Sequence, residues 1–289
     1  MLLQAFAKIN WSLDITGVRE DGYHFMDMLM QPVSLADEIE LRPSASLEIT
    51  TGGSPPSRAD HTNLAYRAAA ALKEASGYSG GAAIHVQKAV PIGAGMGGGS
   101  SDAAAVLWGL NRLWQTGFSE QELRSIGLTL GADVPFFIRG GLTRTRGIGE
   151  ELESHEYTAN YWLIIIQPCG GLSTGAVFNL WKQNAPSSGP DTEAALLALQ
   201  TGNLPLLAEN IGNVLQPVAE ALRPEIGRAC RKLEEAGSVV ARMTGSGSAV
   251  FGVFRSHDIA KKAFNVLSHT EKTIFLCHTQ HDSLRLISE

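Results

Sequence analysis

The chain has 289 residues, 44% of them hydrophobic and 18% charged, enough to bury a sizeable core in one large or two moderate domains. A formal net charge of −6 opposes broad nucleic-acid binding, which needs a cationic surface to displace counterions, so any phosphate ligand must be held locally. The longest strongly apolar run, residues 161–166, falls far short of the roughly 20 residues a membrane span requires.

At the amino terminus no basic stretch precedes the apolar residues, Lys8 interrupts them and no small-residue cleavage pattern follows, so no secretory signal is expected and the expected compartment is the cytoplasm. Residues 5–15, apolar with polar interruptions, predict a strand, and residues 33–41 and 83–87 predict two more. Gly52, Gly53, Pro55 and Pro56 mark a loop, after which residues 63–75 predict a helix. From Ser101 onward, Val106, Leu107, Leu110 and Leu113 recur at three- and four-residue intervals and predict a helix capped by Ser100 or Ser101. Ser119 with Glu122 three residues later predicts a capping box, Leu123, Ile126 and Leu130 its apolar face, and Gly131 its stop. Asp133 then falls in the loop just beyond, where the chain is expected to turn into a strand.

Residues 182–192 concentrate Pro, Ser, Gly and Asn and predict a surface loop inside a second domain, whose start is placed near Tyr157. Helices are predicted around residues 193–199 and 224–236, and strands over 239–243 and 249–254 around a glycine turn. Helices and strands mix throughout, without the regular βαβ alternation of a doubly wound fold and without an internal repeat. Cys169, Cys230 and Cys277 are odd in number and far apart, and predict reduced thiols; His278 and His281 have no second ligand pair, so no structural metal is assigned.

The strongest chemical feature is the segment at residues 91–102, P-I-G-A-G-M-G-G-G-S-S-D, between a predicted strand and a predicted helix. Five glycines in seven positions let backbone N–H groups approach a ligand, and the following helix turns its unsatisfied N–H groups and positive dipole end the same way. That combination suits phosphate, yet matches neither G-x-x-x-x-G-K-[ST] nor the dinucleotide G-x-G-x-x-G with its later acidic residue. Asp133, in G-A-D-V-P-F-F, and Lys8, in A-F-A-K-I-N, each interrupt small and apolar surroundings where a lone charge is costly, so each is a candidate partner of the other. A glycine-serine turn at residues 243–251, which reads equally as an ordinary hairpin, and the pair Tyr23 and His24 in D-G-Y-H, suited equally to stacking on a base and to surface packing, complete the set.

The three glycine-bearing segments, in this order and at these separations, resemble the GHMP kinase superfamily over essentially the whole chain; D-G-Y-H and G-A-D-V-P-F are similar to the members that act on a cytidine-bearing acceptor. The resemblance implies a two-domain α+β fold: residues 1–156, like the second domain of ribosomal protein S5, bind ATP, and residues 157–289 are ferredoxin-like, with the acceptor in the cleft between. It implies ATP-dependent phosphorylation of the tertiary 2-hydroxyl of a cytidine-diphosphate methylated polyol, giving the 2-phosphate and ADP on the non-mevalonate route to isoprenoid precursors. It implies Lys8 and Asp133 as catalytic residues, Asp133 taking the hydroxyl proton and Lys8 orienting it. Pro91, Gly93, Gly95, Met96, Gly97, Gly98, Gly99, Ser100, Ser101, Asn63 and Lys88 would lie at the ATP, with Met96 where the superfamily usually has leucine. Asn10, Tyr23, His24, Thr174 and Phe178 would hold the acceptor, Tyr23 and Phe178 sandwiching the cytosine.

Mg²⁺ is the implied cofactor, held by phosphates, water and Ser100 or Ser101 rather than by an assigned acidic ligand. The implied partners are the two small molecules, without nucleic acid or membrane, and the chain is expected as a monomer or homodimer. The alternatives are another kinase of the same fold acting on mevalonate, homoserine or a sugar, since fold alone does not select the acceptor, and a non-catalytic nucleotide sensor.

Overall fold

The computed structural model describes residues 1–19, 24–53, 57–157, 160–184 and 188–289. The first half runs β1 (Leu2–Val18), β2 (His24–Ser44), β3 (Glu48–Gly53), α1 (Leu64–Ser76), β4 (Gly81–Lys88), α2 (Gly98–Leu113), α3 (Glu120–Leu130), α4 (Val134–Arg139), β5 (Leu142–Gly147) and β6 (Glu151–His155). The second half runs β7 (Trp162–Ile166), α5 (Thr174–Gln183), α6 (Thr192–Thr201), α7 (Leu204–Asn210), β8 (Gly212–Asn213), α8 (Gln216–Leu222), α9 (Glu225–Glu235), β9 (Val240–Met243), β10 (Val250–Phe254), α10 (His257–Leu267), β11 (Ile274–His278) and β12 (Leu284–Ser288).

Two sheets carry the fold. The larger has the order β12-β1-β2-β4-β3, with β5 on β2, β6 on β5 and β8 on β1; the smaller is antiparallel, β11-β7-β10-β9. Counted along the chain, that second order is 4-1-3-2, the ferredoxin-like arrangement expected for the second half. The last strand, β12, returns to pair with β1, so the larger sheet takes strands from both ends of the chain.

The core falls into two clusters, divided on β1 and β2 by the register shift between Phe6 and Lys8 and on β7 by alternation. Leu3, Ile39, Leu41, Ile84 and Val86 face Ala65, Ala68, Leu72, Val106, Leu107 and Leu110 of α1 and α2. Ile9, Trp11, Leu29 and Val33 pack against Leu163, Ile165, Phe251 and Val253 of the smaller sheet, while the alternate residues Ile164 and Ile166 turn to the first cluster. Trp11 stands edge-on to Tyr161 and Phe251, at ring-centroid distances of 5.4 and 5.7 Å, and its indole N–H donates to Gln31 Oε1. Lys8 and Asn10, on the other face of β1 from Ile9 and Trp11, are bracketed by register shifts between Phe6 and Lys8 and between Asn10 and Ser12.

Two local expectations are corrected. The helix after the glycine loop is capped by neither Ser100 nor Ser101: Gly97, left-handed at φ 71°, is its N-cap without a side-chain bond, because Gly98 and Gly99 already continue the helix. Ser101 is fully buried and its hydroxyl donates to the Phe6 carbonyl at 2.7 Å. Beyond Asp133 the chain enters the short helix α4, not a strand; Pro135 in its first turn has a backbone geometry suited to a helix start. The capping box of Ser119 and Glu122 forms on α3 as its spacing predicts, and Asn63 caps α1.

Candidate active site

A cavity of about 1060 Å³ opens between the glycine loop, the amino-terminal ends of α2 and α4, the Lys8 and Asn10 face of β1, helix α5 and the turn after β9. Its floor is set by glycine. Gly93, Gly95 and Gly97 all have positive φ, and a Cβ on Gly95 would lie 2.3 Å from the Thr244 carbonyl oxygen, so the two glycine turns can meet only without side chains. Their junction is fixed by backbone bonds: Lys8 N–H donates to Met96 O and Ala249 N–H donates to Ala94 O, both at 3.0 Å.

Lys8 and Asp133 come together here. Lys8 is 3% exposed, and its Nζ lies 4.0 Å from Asp133 Oδ2 and donates to Asn10 Oδ1. Burial holds its ammonium below the usual lysine range, with the Asp133 charge opposing that shift. Asp133 occupies the N-cap position of α4 but makes no capping bond, which leaves its carboxylate, about a third exposed, to face the cavity. Asn10 is the junction residue: its Oδ1 also accepts from Gly245 N–H at 3.0 Å, and its own N–H donates to Thr244 Oγ1 at 3.0 Å.

At the other end of the cavity stand His24, Thr174 and Phe178. The His24 and Phe178 rings are tilted at 4.8 Å between centroids, and Trp181 meets His24 edge-on at 5.9 Å. His24 Nε2 is buried without a hydrogen-bond partner among the described residues, and burial and then the Lys182 charge hold the imidazole below its usual range. Thr174, Phe178 and Lys182 fall at four-residue intervals on the cavity-facing side of α5, and Thr174 Oγ1 lies 2.9 Å from Ser246 Oγ. Tyr23, the other aromatic of the D-G-Y-H segment, lies outside the described residues.

The remaining nucleotide candidates divide. Gly93, Gly95, Gly97 and Ser100 line the cavity. Met96 is in the core with Val90 and Ala94, Ser101 is spent on Phe6, and Lys88 is ion-paired with Asp37 and Asp102, so none of these three lines it. Asn63 serves α1: its Oδ1 accepts from Ala65 N–H and its amide donates to the Arg58 carbonyl. Pro91, Gly98 and Gly99 form the loop's entry and exit without lining the cavity. Reading by sequence did not place Lys182 in the cavity, Thr244 and Asn213 on the turn beside it, or Asp37 beneath the glycine loop. Asp37 is one of three carboxylates in the segment 33–41, beside Glu38 and Glu40, so nothing local singled it out, and Asn213, whose amide donates to Met243 O and Gly245 O, carried no sign either.

No group of three or more histidine, cysteine or acidic side chains able to hold a metal exists among the described residues. The donors that face the cavity, the Ser100 hydroxyl and the Asp133 carboxylate, suit a hard cation that keeps most of its shell as water and phosphate oxygen, as Mg²⁺ does. Among the described residues no helix is long and apolar enough to cross a membrane.

Comparison with known proteins decides the family. The GHMP kinases N terminal domain matches residues 63–141 and the GHMP kinases C terminal domain residues 195–272. The 4-diphosphocytidyl-2-C-methyl-D-erythritol kinase of Pelotomaculum thermopropionicum is 39% identical over 279 residues, 95% of this chain and 96% of the relative. The chain belongs to the GHMP kinase family. A relative of the same name from Symbiobacterium thermophilum is 42% identical to the kinase over 88% of its length and 90% of the relative's. Among solved structures, a crystal structure of 4-(cytidine 5'-diphospho)-2C-methyl-D-erythritol kinase is 34% identical, with TM-score 0.84, over 96% of the kinase and 99% of that chain. A homoserine kinase from Cytophaga hutchinsonii, TM-score 0.78 at 18% identity over 99% of the kinase and 97% of that chain, shares the fold. The kinase is thus ATP-dependent and acts on an alcohol, as the resemblance carried by its three glycine-bearing segments implied.

Proposed function

We propose that this kinase transfers the γ-phosphoryl group of ATP to the 2-hydroxyl of 4-diphosphocytidyl-2-C-methyl-D-erythritol, giving the 2-phosphate and ADP. The observation that carries the reading is one cavity with a glycine loop, a Lys8 and Asp133 pair, and an aromatic end formed by His24 and Phe178. Relatives spanning nearly the whole chain and bearing that name support the acceptor.

Phosphoryl transfer needs positioning and charge stabilisation more than covalent chemistry. Asp133, with an uncommitted carboxylate in the cavity, accepts the proton of the attacking hydroxyl. Lys8, held by Asn10, orients that carboxylate and stabilises charge that builds on the transferred group. The glycine loop and the uncapped amino end of α2 receive the phosphates, with Gly93, Gly95, Gly97 and Ser100 facing them. Mg²⁺, when bound with the triphosphate, neutralises phosphate charge, and Ser100 is the hydroxyl that would share in holding it. His24 Nε2, with no partner among the described residues, hydrogen-bonds the cytosine edge, Phe178 and Tyr23 stack on the base, and Thr174 and Asn10 hold the polyol end. The nucleotide-binding part is residues 1–156 and its counterpart residues 157–289, with the reaction between them in the cytoplasm.

Phosphorus NMR of the purified protein with Mg·ATP and the cytidine-diphosphate methylerythritol tests the reading. ADP and a new phosphomonoester resonance should grow together as acceptor is consumed. ATP left intact while nucleotide binds would move the acceptor to another alcohol or make the protein a sensor.

A further inference from the structure

Beneath the glycine loop, on the side away from the cavity, three charged side chains are buried together: Asp37 of β2, Lys88 at the end of β4 and Asp102 of α2. Lys88 Nζ lies 2.5 Å from Asp37 Oδ2 and 2.7 Å from Asp102 Oδ2. Burial opposes the charge on Lys88, but the Asp102 and Asp37 carboxylates outweigh it and hold the ammonium above the usual lysine range. The other oxygen of Asp37 accepts from the N–H groups of Ala89 and Val90, at 2.6 and 2.8 Å, where the chain enters the loop. Asp102 stands where the chain leaves it, and a Cβ on Gly98 would lie 3.2 Å from Lys88 Nζ. The cluster therefore fastens the entry of the loop to its exit.

The loop needs an outside fastening. Its glycines have more conformations to lose than other residues, and the Gly97 cap of α2 has no side chain to hold the turn. A loop left free must be ordered by the ligand at the moment of binding, and that ordering is subtracted from affinity. With Lys88 spent on two carboxylates below the loop, its charge is not directed into the cavity.

We propose that Asp102 and Asp37, bridged by Lys88, are positioning residues that preorganise the glycine loop for the triphosphate, and that Lys88 acts on the nucleotide only through them. The proposal rests on the loop being the nucleotide site. It predicts a selective loss: affinity for ATP falls, while affinity for the acceptor, held at the other end of the cavity, does not.

Calorimetric titration with Mg·ATP, alongside steady-state kinetics with each substrate varied in turn, tests this on Asp102→Ala and Asp102→Asn. The alanine variant should weaken ATP binding and raise KM for ATP at least about tenfold, with KM for the acceptor within about twofold. The asparagine variant keeps an oxygen for Lys88 and should recover most of the loss. A role confined to stability would lower Tm and the active fraction, and with it apparent kcat, leaving KM for ATP unmoved; that pattern overturns the proposal. Should the alanine variant not fold, Asp37→Asn, whose single oxygen cannot accept from both Lys88 and the Ala89 and Val90 N–H groups as the two carboxylate oxygens do, must raise KM for ATP, and an unchanged value there overturns the proposal equally. A wild-type protein that binds ATP but phosphorylates no acceptor would sink the reaction assigned above and not this comparison, whereas one that binds no ATP would sink both.

Discussion

Lys8 and Asp133 show what a residue gains from its neighbours. Each is an isolated charge in an apolar stretch of sequence, and either alone reads as a structural ion pair; the shared cavity and the 4.0 Å separation make them a candidate acid–base pair. Asp133→Asn should lower kcat by about 10²- to 10⁴-fold while the dissociation constant for ATP stays nearly unchanged, read by coupled assay and calorimetry. Lys8 carries a stability cost. Because burial holds its folded pKa below the unfolded value near 10.4, the folded state binds fewer protons across that interval, so stability rises as pH climbs through it and is reduced at neutral pH. Asn10 Oδ1 keeps Gly245 N–H if Lys8 is lost, so Lys8→Met should raise Tm at neutral pH and abolish turnover. A Tm difference that shrinks as pH approaches about 10 would identify the lysine charge as its source.

Among the elements, α2 and α3 make a contrast in how helices begin. In the capping box of α3 the Ser119 hydroxyl accepts from Glu122 N–H and the Glu122 carboxylate accepts from Ser119 N–H, and neither residue lines the cavity. Ser119→Ala should cost about 0.5–2 kcal/mol in urea unfolding and leave both KM values alone. The start of α2 has no such side chain, and its open N–H groups face the site. Sequence reasoning that correctly finds the α3 cap misassigns Ser100 and Ser101 to the cap of α2, because Gly97 starts that helix ahead of them and a buried hydrogen bond to Phe6 of β1 turns Ser101 into the core. Strand β1 does its work by alternation, sending Ile9 and Trp11 to the inter-sheet core and Lys8 and Asn10 to the cavity.

For the molecule as a whole, the site depends on how the two sheets are held against each other. Trp11 is fully buried at that junction, one residue from Asn10, between Tyr161 and Phe251. Trp11→Ala should cost about 3–5 kcal/mol by removing this contact, and the surviving folded fraction should also lose kcat, because the turn after β9 no longer sits against Gly95. A loss of stability with kcat per folded molecule unchanged would count against that coupling.

Much of this protein is determined by its sequence alone. Periodicity marks β1, α1, α2, α3, β9 and β10, and the glycine loop, the G-A-D-V-P-F segment and the glycine-serine turn identify the family, because each depends on local backbone needs that nearby residues express. What the tertiary structure decided is which charges work together. Asp37, Lys88 and Asp102 are scattered over 65 residues and meet only because β2, β4 and α2 pack side by side, and Lys88 is thereby drawn below the loop instead of into the cavity. Asn10 joins Lys8 to a turn more than 230 residues away by the same means. Such pairings follow from burial, which makes an unpartnered charge costly and leaves the choice of partner to the packing of distant strands and helices.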